Sequence, residues 1–221
     1  MPCVSRIGVL ATLLSLSLLA PTPAWAQAAS NTSLNAQLLV AARQFDLPAV
    51  QQALARGASP DSRNRLGKTV LLMAAERGNL AMATAAMGAG ADVNLASNNR
   101  VTPLMAASYV GQVELARALI TAGARVDLQD HLHKPAIIYA AGQGQAEAVG
   151  LLLDRGVPVD AAYEHQLTAL MWAAGQGSVV TTQLLLARGA RTELRDDRGL
   201  TAADIARQAG LAPVVAVLDG R

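Results

Sequence analysis

The sequence predicts an all-α solenoid of about six helix–turn–helix repeats, and three registers of residues predict it. Gly57, Gly90, Gly123, Gly156 and Gly189 stand 33 residues apart. Gly78, Gly111, Gly144, Gly177 and Gly210 keep the same step. So do Thr69, Thr102, Pro135, Thr168 and Thr201. Independent positions in one register over five copies mark a chain built by repetition. One copy cannot bury its own apolar face, so it needs neighbours.

Within a copy each element follows from local chemistry. In residues 102–127, the Thr102 hydroxyl can cap a helix while Pro103 takes the first helical position, where a missing N–H costs nothing. Gly111 ends that helix. A second helix over 113–122 carries Val113, Leu115, Ala116, Leu119 and Ile120 at helical spacing, and Gly123 supplies the left-handed stop.

Taken in order, residues 1–26 read as a secretory signal peptide: Arg6 gives the positive region, 7–20 the apolar run, and Ala24-Trp25-Ala26 an A-x-A cleavage site. The apolar run is too short for an ordinary transmembrane span, so no membrane attachment is expected after cleavage. Residues 27–35 form a flexible lead-in. The repeat domain is expected over 36–221: an N-terminal cap repeat at about 36–63, repeats at about 64–96, 97–129, 130–162 and 163–195, and a C-terminal cap at about 196–221. In the first cap Phe45 occupies the place of the helix-ending glycine.

The motifs TVLLMAA from Thr69, TPLMAAS from Thr102, TALMWAA from Thr168, GADVN from Gly90 and GARVD from Gly123 resemble the ankyrin repeat, with its T-P-L-H-x-A-A and G-A-D-x-N signatures. The resemblance covers about residues 34–221 and implies repeats that begin with short β-hairpin fingers. It also implies a protein-binding surface made of finger tips and the exposed ends of the first helices. The chain departs from the family at the histidine position, which is Leu72, Met105, Ile138, Met171 and Asp204 here, so apolar packing must replace a polar bond. Repeat four departs furthest: Pro135 cannot cap with a side chain, and GVPVD replaces the motif from Gly156. It is expected to be the weakest joint or a place bent by function.

Mapped residue by residue, the implied binding surface takes Arg65, Lys68, Asn99, Arg100, His131, His133, Lys134, Glu164 and His165 from the fingers. The first helices add Glu76, Arg77, Tyr109, Gln143 and Gln176. Tyr109 is either an aromatic anchor or a packing residue against the next helix. Trp172, Met73 and Tyr139 stand at the register that faces the core. His131, His133, His165 and Glu164 lie on neighbouring tips, which leaves a surface metal or small-ligand site as an alternative to polar decoration.

Composition excludes other classes. The formal net charge is +2, from 18 basic and 16 acidic residues, with the cations scattered, so nucleic acid is not an expected partner. Cys3 is the only cysteine and lies in the leader, so no disulfide and no cysteine nucleophile is expected. No serine has a histidine in register, and the glycines punctuate helices without forming a phosphate loop. The expectation is a non-catalytic, monomeric protein-binding module without cofactor, exported to the periplasm of a Gram-negative bacterium as an accessory or protective partner of another protein. An inhibitor or immunity protein that blocks a periplasmic enzyme is the alternative.

Overall fold

The computed structural model describes the backbone of residues 24–220 and the side chains of residues 33–220. The leader expected over 1–26 lies outside them except for its last three residues. Among the described residues, twelve α-helices follow as six consecutive pairs. These are α1 (Ala24–Gln44) with α2 (Leu47–Ala55), α3 (Val70–Glu76) with α4 (Leu80–Gly88), and α5 (Pro103–Val110) with α6 (Val113–Thr121). Then come α7 (Ala136–Gly142) with α8 (Ala146–Asp154), α9 (Ala169–Gly175) with α10 (Val179–Ala187), and α11 (Ala202–Gln208) with α12 (Ala212–Asp219). The odd-numbered helices pack in one row and the even-numbered in another, each against its neighbours in order. Among the described residues no helix is long and apolar enough to cross a membrane.

The caps form as their chemistry requires. The hydroxyls of Thr69, Thr102, Thr168 and Thr201 accept the backbone N–H groups of Leu72, Met105, Met171 and Asp204 at 3.2–3.4 Å. Pro135 heads α7 with no side-chain cap. Phe45 adopts φ 57°, the left-handed region that glycine fills elsewhere. Leu72, Met105, Ile138 and Met171 are buried, so apolar side chains do occupy the positions of the family's histidine. Ser108 is also wholly buried, and its hydroxyl has no partner.

Two expectations are corrected. Residues 27–35 are helical backbone within α1, with Leu34 buried and the Asn35 amide oxygen accepting the Ser59 N–H at 2.8 Å. The end of the lead-in, at Leu34 and Asn35, therefore packs on the first repeat. The fingers, in turn, contain no strand among the described residues. Adjacent fingers share single backbone bonds, such as Asn98 N–H to Leu66 O at 3.1 Å and His131 N–H to Asn99 O at 3.2 Å, too few for a ladder. Every finger but that of repeat five closes on a side chain. The Asn64 amide oxygen accepts from Leu66 and Lys68 N–H, and the Asp130 carboxylate accepts from Leu132 and Lys134 N–H. Gly67 (φ 73°) completes the first of these turns, where a Cβ would stand 2.7 Å from the Asn98 backbone nitrogen.

A second set of bonds stitches the repeats together. Asp61 accepts the Asp92 N–H, Asn94 the Arg125 N–H and Asp160 the Arg191 N–H, all at 2.8–2.9 Å. The same register pairs Asp127 with residue 158. Residue 158 is proline and has no N–H to give, so Asp127 turns to the Arg125 guanidinium at 2.7 Å. The joint between the third and fourth repeats thus lacks a bond that three other joints have.

Candidate functional site

The register 73, 106, 139, 172 and 205 decides the shape of the face formed by the fingers and first helices. It holds Met73, Ala106, Tyr139, Trp172 and Ile205. Met73 is buried, in line with the sequence, but Tyr139 and Trp172 are only half-buried. Both rings pack against the core as expected, but a ring is too large for the space that alanine or methionine fills, so one side stays open. The rings stand along the face. Ala106, between Met73 and Tyr139, leaves a hollow of about 310 Å³ walled by Glu76, Val101, Met105, Tyr109 and Tyr139. Further hollows of about 170, 130 and 340 Å³ continue past Tyr139 and Trp172.

Tyr109 is 47% exposed and also meets Tyr139 of the next first helix edge-on, with centroids 6.2 Å apart. The Tyr139 hydroxyl donates to Asp130 at 2.6 Å, which fixes the ring to its own finger. Burial, and after it the Asp130 carboxylate, pushes that hydroxyl well above the ordinary tyrosine range. Lys134 lies over the Trp172 ring, 4.3 Å from its centroid. Tyr109, Tyr139, Lys134 and Trp172 therefore form one continuous row across repeats three to five.

The sequence-mapped surface residues divide. Tyr109, Lys134, Gln143 and Gln176 line one hollow, and Lys134, Glu164 and His165 line the next. Glu76 lines the hollow at Ala106 and pairs with Lys68 at 2.7 Å. Arg77 leaves this group to cover the Phe45 ring at 5.2 Å. Arg65, Asn99 and Arg100 are exposed on their fingers, with Arg100 at φ 61°. Tyr139, Trp172, Tyr163 and Ile138 belong to the face and were not among the mapped residues. The signal that could have found them is the alanine at 106, which makes any larger neighbour at that register a wall.

The three histidines do not converge. His131 Nε2 stands 2.8 Å from the Asn98 carbonyl oxygen, His133 Nδ1 4.0 Å from Glu164, and His165 Nδ1 2.8 Å from Asp197. His133 has φ 51°, so His131 and His133 do not lie on one extended strand. Each ring spans to an adjacent finger. Among the described residues, no three His, Cys, Asp or Glu side chains gather into a metal-binding group. In repeat five Tyr163 stands where the other fingers carry Asn64, Ser97, Asp130 and Asp196. Gln166 takes φ 58°, as Gly67, Arg100, His133 and Gly199 do at the same register, but in repeat five alone the preceding residue, His165, is also at positive φ, 59°. What remains is a semi-rigid surface of rings, amides and cations, suited to shape and charge recognition.

No curated protein matches the chain. The family described as Ankyrin repeats (3 copies) matches residues 38–130, 120–196 and 137–218. Such repeats are generally protein–protein interaction modules and typically non-catalytic scaffolds. With helix pairs, caps and sequence motifs in one register across nearly all described residues, the chain belongs to the ankyrin-repeat family.

Proposed function

We propose that the protein is a non-catalytic binding module that holds a periplasmic protein against the face of its fingers and first helices, as an accessory or protective partner. The observation that supports this most is the exposed Tyr109 ring set edge-on to Tyr139 beside an open hollow. Aromatic side chains in partly desolvated pockets dominate the energetics of protein interfaces. Their positions here are held by short helices and a finger tied to Asp130, so little ordering entropy is lost on binding. The export assignment rests on the leader features of residues 1–26.

The test is affinity capture from a periplasmic extract, with the native protein and a Tyr109→Ala, His131→Ala, Lys134→Ala triple variant as baits. A partner retained by the native bait and lost from the variant supports the reading. An unchanged catch moves the interface elsewhere. The captured partner's own activity then separates an accessory role, which preserves it, from inhibition, which abolishes it. Leader cleavage is checked by the mass of the protein recovered from periplasm, and an uncleaved cytoplasmic product refutes export.

A further inference from the structure

The charges around the aromatic row are one-sided. The fingers of repeats two to four, at residues 64–68, 97–101 and 130–134, carry Arg65, Lys68, Arg100 and Lys134. Their single acidic residue is Asp130, which is buried and occupied by Tyr139 and by the Leu132 and Lys134 N–H groups. Lys68 is neutralised by Glu76. Among the described residues, Arg65, Arg100 and Lys134 have no carboxylate within ion-pair distance. The one carboxylate that walls the Ala106 hollow is Glu76, and Lys68 cancels it. Arg100 directly precedes Val101, another wall of that hollow. An apolar slot is thus flanked on its finger side by unmatched positive charge.

We propose that this part of the face takes an acidic, extended segment of the partner protein, with one apolar side chain in the hollow at Ala106 and flanking carboxylates on the finger cations. The proposal deepens the face assignment above and rests on it. The chemistry is additive: a buried aliphatic side chain contributes apolar contact with Met105, Tyr109 and Tyr139. The finger cations select against basic segments and speed encounter with acidic ones. A basic segment would meet Arg65, Arg100 and Lys134 with no acid to offset them.

The probe is a library of random peptides displayed on phage, selected against the full protein at low salt. Enrichment of Asp and Glu around a single Leu, Ile, Met or Val is expected. Binding of the selected peptides should fall at least about tenfold on Ala106→Met, which places in the hollow the side chain that its neighbour Met73 carries. It should also fall on the exposed pair Arg65→Glu, Arg100→Glu, and it should weaken as salt rises. Thermal melting of both variants confirms that they fold. Basic or charge-neutral winners, or acidic winners indifferent to both variants, overturn the proposal. If the captured partner still needs Tyr109 while the winners are not acidic, only this inference fails. If neither partner nor peptide senses the face, the binding-face assignment falls with it.

Discussion

Tyr139 donates its hydroxyl to Asp130 at 2.6 Å, and this bond ties the fourth finger to the helix that Pro135 leaves uncapped. Its counterpart in repeat two is a contact of 3.8 Å from the Asn64 amide to the Met73 sulfur. Tyr139→Phe should therefore cost about 1–2 kcal/mol, because the buried Asp130 carboxylate loses one of its donors. The folded-state proton affinity of Tyr139 is raised, by burial first and then by Asp130. Its contribution is complete below the ordinary tyrosine pKa of about 10 and is lost as pH rises above it. Denaturant unfolding at rising alkaline pH should show a steeper loss for the native protein than for Tyr139→Phe.

The missing stitch at Pro158 makes equivalent aspartates unequal. Asp61→Ala removes the acceptor of the Asp92 N–H and should cost about 1 kcal/mol. Asp127→Ala removes only an exposed pairing with Arg125 and should cost less than about half of that. Urea midpoints of the two variants measure the difference. Equal losses would mean that the stitches carry no stability.

Ser108 fills a register that holds Ala75, Ala141 and Ala174 in repeats two, four and five, and its buried hydroxyl is unpartnered. Ser108→Ala should raise stability by about 1 kcal/mol, since nothing is lost but an unsatisfied polar group. A fall in melting temperature would show that the hydroxyl does have a partner.

The C-terminal cap should be sensitive to acid. The Thr201 hydroxyl and N–H, helped by Arg207 and Arg195, hold the Asp204 carboxyl below the usual range. Burial pushes Asp196 up, but the Leu200 N–H and the Arg198 side chain and N–H together bring it below that range. Groups with lowered affinity for protons stabilise above their ordinary pKa, near 3.8, and lose that contribution as pH falls below it. The melting temperature of the native protein should drop below about pH 4, and by less in Asp204→Asn.

The repeats and their caps were legible because glycine stops and threonine caps act within a few residues of chain. The N-terminal α1 was hidden because Leu34 is buried only through contacts supplied by the fold. The fingers resembled hairpins in pattern, yet their closure rests on Asn64 and Asp130 side chains, which periodicity does not register. Tyr109, Lys134, Gln143 and Gln176 were assigned to the surface from their register and do meet at one hollow. Tyr139 and Trp172 were not, since their exposure depends on the size of Ala106 and on ring packing between repeats.

The most direct measurement is the affinity of the captured partner for Tyr109→Ala beside Val180→Ala, each by titration calorimetry. Val180 is 65% exposed on α10, in the other row of helices, and serves as the control. A loss of at least about tenfold for Tyr109→Ala with no change for Val180→Ala is expected of an anchor on the finger side. Full affinity for Tyr109→Ala together with weakening by Val180→Ala would place the partner on the opposite face and contradict the assignment.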